Sequence, residues 1–322
     1  GFLFRRRPSV GIDPSFGDER LAALRAAARE GARRWPEIRT ALSGAQDPED
    51  LTFLVEGLRS VAGLERWIGE VIAAEPDEPL PLLVSGARHV GWAWHARSGL
   101  AARYVSDEQW ALFRGRLETA QEQLLAAAES APDLAAPWYF LQITARGLRA
   151  GANRAGADVE EQRFTAACRH APGHLAAHRE RLLQLTPAWG GSREEMHGFA
   201  RRSMLAAPAG SPLGELVAAA FLEEWLDRGG DPESVYMRSG QVLGALHEAA
   251  DRSVRQQSFV RERDWPLTFN TFAMAFALAG DEVAARPLFR AIGDRATEMP
   301  WRYLDDRSPL VPFLEWRSRV NR

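Results

Sequence analysis

Ala120-Gln121-Glu122-Gln123-Leu124-Leu125-Ala126-Ala127-Ala128-Glu129-Ser130-Ala131-Pro132 sets apolar residues at 120 and 124, a small one at 127 and a proline at 132. That spacing puts 120, 124 and 127 on one helix face, and the proline opens the next helix. The phrase recurs. Phe164, Ala167 and Pro172 carry its last three members, Ala200, Ser203 and Pro208 form a weaker copy, and Leu64, Ile68, Val71 and Pro76 an earlier one. Pro132, Pro172 and Pro208 stand 40 and 36 residues apart, a solenoid period.

The surrounding chain reads as helix throughout. Ala, Leu, Glu and Arg dominate long windows, and no alternating Val/Ile/Thr run marks a strand. Ser106-Asp107-Glu108-Gln109 and Ser192-Arg193-Glu194-Glu195 match the capping box, in which two side chains satisfy free backbone N–H groups reciprocally. Asp47-Pro48-Glu49-Asp50 and Asp231-Pro232-Glu233 place Asp at a cap, Pro at the first helical position and acid near the positive end of the dipole. Gly44, Gly99 and Gly151 are expected to end helices. Gly147–Gly156 reads as a long loop, and the charged segment Arg261–Asp264 as a separator before a C-terminal cap. The expected organisation is an N-terminal arm over 1–17, a helical array over 18–260, and a C-terminal repeat and cap over 261–322.

These phrases resemble the tetratricopeptide repeat. After Pro132, Trp138 and Leu141 fall on the first-helix Trp and Leu of that motif; after Pro208, Ala218 and Phe221 fall on its small residue and aromatic. Phe272, Ala273, Phe276, Gly280, Ala285 and Phe289 match a single copy in order. The pattern departs at Pro187-Ala188-Trp189-Gly190-Gly191-Ser192, which replaces the tight Gly turn, and at Pro287, early in a second helix. The phrases around Trp94, Arg146-Gly147-Leu148 and the Trp-Gly-Gly-Ser turn are also similar to a bacterial helical-repeat family of actinobacterial type. The resemblance covers roughly residues 60–300. It implies an all-α fold of antiparallel helix pairs stacked as an α-solenoid, each pair lending its neighbour apolar surface that it cannot hide alone. Ala127, Ala167 and Ala273 would let helices approach, with Phe221, Phe276 and Phe289 filling the gaps.

Composition excludes several chemistries. The 322 residues carry a net charge of −3 with 46 % hydrophobic and 26 % charged residues, so neither a disordered tail nor a basic nucleic-acid footprint is present. All 40 basic residues are arginine. Without lysine there is no Walker A phosphate loop, Schiff-base enzyme or kinase strand lysine. One cysteine, Cys168, excludes an internal disulfide and a Cys-rich metal centre; it is expected to be a small buried hydrophobe in a cytoplasmic protein. No apolar run reaches the length of a membrane span and no signal peptide is visible. Phe2–Arg7, apolar then basic, is the one stretch suited to peripheral membrane contact.

No complete catalytic motif appears, so the expected function is a non-enzymatic interaction module binding a peptide or protein partner in a concave groove, without a cofactor. In tetratricopeptide-like arrays the first helix of each repeat lines that groove. By this register Tyr139, Arg146, Arg179, Glu215 and Asn270 are the partner-binding candidates, the arginines suited to clamp acidic groups. The alternative is a helical enzyme or small-ligand sensor with a pocket at His89, Trp92 and His95, in the aromatic–basic segment that also holds Trp94 and Arg97. It could use a metal at His174 and His178, four apart on one helix. His247-Glu248 with Asp251 reads as surface helix, and Glu223 and Glu224 as solvated. Partner identity and oligomeric state are not encoded in any motif.

Overall fold

The computed structural model describes residues 10–97, 104–149 and 156–322. Fifteen α-helices and several short 3₁₀ turns make up the described residues, with no strand among them. The chain divides into two compact units, Asp18–Met196 and His197–Arg322, the second joined by residues 10–17.

The N-terminal unit contains α1 (Glu19–Glu30), α2 (Trp35–Ser43), α3 (Pro48–Leu58), α4 (Leu64–Ala74), α5 (Pro79–Arg97), α6 (Asp107–Ser130), α7 (Ala136–Arg149), α8 (Ala157–Cys168) and α9 (Leu175–Gln184). Local chemistry sets the starts. Asp47 accepts from Asp50 N with Pro48 at the first helical position, and Ser106 and Gln109 close the expected capping box. Gly44 ends α2, whereas Gly99 and Gly151 lie outside the described residues. The face shared by Ala120, Leu124 and Ala127 is core, all three being fully buried along α6.

In this unit α3 is the central element. Seven of its residues, from Leu51 through Val55 and then Gly57 and Leu58, are buried, as is Asp50. It packs against α1, α5, α7 and α9. His174 Nε2 lies 2.9 Å from Thr52 Oγ1, and Leu175 N donates to Glu49 Oε1 at 2.8 Å, so the start of α9 is tied to the start of α3. In a stack where each pair touches only its neighbours, the second pair does not meet the fifth. Here α9 packs directly on α3. Gly147 lets α7 lie close against α5 and α6: a Cβ there would sit 2.4 Å from Leu117 Cδ1 and 2.7 Å from Trp94 Cη2. The expected loop at 147–149 is therefore helix.

The C-terminal unit contains α11 (Glu215–Asp227), α12 (Gly240–Arg252), α13 (Trp265–Leu278), α14 (Glu282–Ile292) and α15 (Leu310–Val320); α10 (Arg193–Ala206) carries the division point. No division falls at residue 260, because α13 packs on both α11 and α12 and Thr268 Oγ1 donates to Glu215 Oε1 at 2.6 Å. Between α13 and α14, Gly280 takes φ +78°, and Asp281 N and Gly280 N reach back to Phe276 O and Ala277 O. That is a Schellman ending, and it makes the pair a helical hairpin. Phe276 and Phe289 are buried as expected, while Phe221 is half-buried. Pro287 sits inside α14, which continues through it. Asp231 does not start a helix: its carboxylate accepts from Glu233 N at 2.9 Å in a tight turn, and its carbonyl takes the Trp225 indole N–H. The next helix, α12, begins at Gly240 under a Ser239 cap.

Candidate functional site

Four odd-numbered helices of the N-terminal unit, α3, α5, α7 and α9, supply charged side chains to one cluster. At its centre is Arg146 on α7. Its Nε donates to both carboxylate oxygens of Glu180 on α9, at 2.6 and 3.2 Å, and both side chains are less than a tenth exposed. Its guanidinium carbon lies 4.9 Å from the Trp94 ring centroid and 4.5 Å from that of Trp189, within cation–π range of both. Gly147 next door has no side chain to hold Trp94 away. Trp189 comes from the 3₁₀ turn Pro187–Trp189, closed by Gly190 at φ +89°. Arg149 at the end of α7 pins that turn through Trp189 O at 2.7 Å and pairs with Glu160 Oε1 at 2.8 Å.

Arg97 completes the cluster from the last turn of α5. Its guanidinium carbon is 5.6 Å from Trp110, 5.9 Å from Phe113 and 6.0 Å from Trp189. Among the described residues it makes no hydrogen bond or ion pair, and its Nε is buried without a partner. Burial, and then the charge of Arg146, hold its pKa below the usual arginine value. A guanidinium still stays protonated in a protein. Arg146 is balanced by Glu180 and Arg149 by Glu160, so Arg97 is a surplus cation in an aromatic setting. This arrangement can hold an anion.

Glu56 on α3, Arg59 capping the end of that helix and Tyr139 on α7 form the adjoining region. Arg59 Nη1 donates to Glu56 Oε1 at 3.0 Å, while Glu56 Oε2 is buried with no partner. Burial pushes the Glu56 carboxyl upward, with Arg59 pulling it back. Its side chain nevertheless keeps 34 % of its surface. Burial, followed by the neighbouring Glu56 charge, also raises Tyr139 well above the usual phenol value.

Two sequence-derived partner residues, Tyr139 and Arg146, therefore lie in this cluster, both buried. Arg179 is half-buried on α9. Glu215 and Asn270 are buried in the C-terminal unit: Glu215 accepts from Thr268, and Asn270 donates to Pro266 O and Arg295 O while accepting from Trp301 Nε1 at 2.8 Å. Of the alternative pocket, His89 donates Nδ1–H to Ser85 O at 2.8 Å and is held neutral-favouring by burial. Trp92 is covered by Arg116 at 3.5 Å, and His95 is exposed. His89 and Trp92 meet edge to face with ring centroids 5.8 Å apart, whereas Trp94 and Arg97 of the same segment join the cluster around Arg146.

The histidine pair is taken up locally. His174 Nδ1 accepts from Ala177 N at the cap of α9 and its Nε2 meets Thr52, while His178 Nδ1 donates to His174 O at 2.6 Å. Among the described residues no three His, Cys, Asp or Glu side chains are grouped to hold a metal, and no helix is long and apolar enough to cross a membrane. Phe2–Arg7 lies outside the described residues. Burial pushes the Cys168 thiol up to about 12, against nucleophilic use. The C-terminal unit has a recess of about 400 Å³ beside Asp13, Phe16 and Arg295. Both Asp13 oxygens there are already taken by Ser15 N and Gly17 N.

Glu223 and Glu224 are not solvated. Glu224 is buried; burial alone would raise its pKa, but hydrogen bonds from Arg228 and His197 outweigh it and hold the group low. Glu223 accepts from the Tyr303 hydroxyl, and burial raises its pKa above 4.5 with that bond offsetting part. A carboxyl raised on folding adds stability that is fully present below its unfolded pKa and lost as pH rises through the folded value. Glu223→Gln is thus expected to gain melting temperature relative to the parent as pH rises from 4.5 toward 7. Thermal melts across that range check it; a difference that stays flat with pH refutes it.

Compared with protein-family models, curated proteins and solved structures, the chain finds no match. Trp189, Trp110, Glu180 and Glu56 escape the sequence reading. Arg146-Gly147 and Trp189-Gly190-Gly191 are the available signals, since glycine beside a large side chain marks close packing.

Proposed function

We propose that this chain is a non-enzymatic binding module of tetratricopeptide-like antiparallel helix pairs, stacked as a tightly curled α-solenoid, that holds an acidic group of its ligand at Arg97 and Arg146. The observation that carries this reading is Arg97: a part-buried cation with no counter-ion among the described residues, beside a second cation and three aromatic rings. An unpaired charge in such a place is costly, and a carboxylate or phosphate bridging the two guanidiniums would remove that cost through charge-assisted hydrogen bonds. The acid can belong to a small molecule or to the acidic tip of a peptide or protein partner. A single thiol fits action in the reducing cytoplasm.

The test uses the full chain with hexanoate, inorganic phosphate and an acidic peptide, monitoring tryptophan fluorescence because Trp94 and Trp189 flank the site. Binding is expected for at least one probe, with tenfold or greater weakening in Arg97→Ala. Binding of the small acids points to a small-molecule ligand, and binding of the peptide alone to a macromolecular partner. Without ligand, Arg97→Ala is expected to melt at or above the parent temperature, because it removes an uncompensated cation. Unchanged affinity in that variant, or no binding by any probe, rejects the reading.

A further inference from the structure

The polar region around Arg146 has two ends. Tyr139 and Arg146 are seven residues apart on α7, so they share a face at a separation of roughly 10 Å along the axis. Glu180 stands between them: it holds Arg146 Nε, and its charge is felt at Glu56, Arg59 and Tyr139. One end thus has surplus donors, at Arg97 and Arg146. The other has a surplus acceptor, because Glu56 uses only Oε1 on Arg59 and leaves Oε2 buried and unpartnered. The Tyr139 hydroxyl stands beside this carboxyl and lowers its pKa by hydrogen bonding, while Oε2 itself has no partner at hydrogen-bond geometry. A buried acceptor without a donor is a cost that a ligand donor would relieve.

Charge decides which donor. Arg59 is matched by Glu56 and Arg146 by Glu180, leaving the single positive charge of Arg97. One carboxylate neutralises that charge. An ammonium group on the same ligand would restore the surplus, whereas a hydroxyl donates to Glu56 without changing the balance. We infer that the ligand is a monoanion bearing a neutral hydroxyl, its acid at Arg97 and Arg146 and its hydroxyl at Glu56 beside Tyr139. This rests on the proposed acid site, and goes beyond it by naming the ligand's second group.

The experiment is titration calorimetry of the full chain with ω-hydroxy acids of four, six and eight carbons, each beside its unsubstituted parent acid and its ω-amino analogue. At the length that spans the region, the hydroxy acid is expected to bind about fivefold or more tightly than its parent, and the amino acid no more tightly than the parent. Glu56→Gln should erase the hydroxyl gain while leaving the parent acid's affinity in place. Tyr139→Phe provides a second variant in case Glu56→Gln does not fold. If hydroxy and parent acids bind equally at every length, yet all are lost in Arg97→Ala, the hydroxyl assignment is wrong and the acid site stands. If no acid binds but the acidic peptide does, the hydroxyl assignment falls and the acid site stands; if neither the acids, phosphate nor the peptide binds, both fall.

Discussion

Glu180→Ala is expected to lower the stability of the chain by about 3–5 kcal/mol, because it leaves the Arg146 guanidinium buried without its carboxylate. The two side chains are 8 % and 5 % exposed, and Nε of Arg146 has both Glu180 oxygens as acceptors. The cation cannot escape by losing its proton. Nor can it swing out to water cheaply, since Trp94 and Trp189 lie against it. Urea denaturation is the measurement, and the midpoint should fall with little change in slope. Arg146→Met combined with Glu180→Leu should recover most of the loss, since replacing both partners removes the orphaned charge together with the pair. A Glu180→Ala cost below about 1 kcal/mol, in the range of exposed ion pairs, would mean that Arg146 is far better solvated than its burial indicates.

That pair also shows where sequence reasoning reaches its limit. Helix class was legible, because it follows from local composition and spacing, and so were the caps at Asp47 and Ser106, whose bonds close within three residues. Asp231 has the same local signature, but its backbone and side chain are spent on a tight turn and on the Trp225 indole. Helical register places Tyr139 and Arg146 on one face of α7. What covers that face is beyond local reading, because α3 and α9 arrive from 80 or more residues earlier and some 30 later in the chain. Arg97 looked like one more basic residue in an aromatic segment. Its significance is that it has no counter-ion among the described residues, which only three-dimensional neighbours can establish. His174 misled in the opposite sense: imidazole spacing suits a metal, yet the ring caps α9 and meets Thr52, a residue 122 positions away.

Trp301→Ala is the second large expected effect, at about 3–5 kcal/mol for the lost indole volume. Trp301 is fully buried in the C-terminal unit, with Phe313 at 5.6 Å in an edge-on contact and Phe289 at 6.0 Å. It also donates Nε1–H to Asn270 Oδ1 at 2.8 Å, while Asn270 Nδ2 holds Pro266 O and Arg295 O. One buried amide thereby ties the start of α13 to the segment after α14 and to the turn before α15. Truncating Trp301 opens a cavity against two phenylalanines and strands an acceptor at zero exposure. Trp301→Phe separates these contributions: most of the ring volume remains, and the expected cost of about 1–3 kcal/mol is that of the orphaned Asn270 oxygen. Asn270→Ala should cost more, since it also removes the donor to Pro266 O and Arg295 O, and the double variant Trp301→Phe/Asn270→Ala should cost less than the two singles together, because the bond between them is lost only once. Strict additivity in that cycle, read from urea midpoints, would show that Asn270 and Trp301 do not act as one unit.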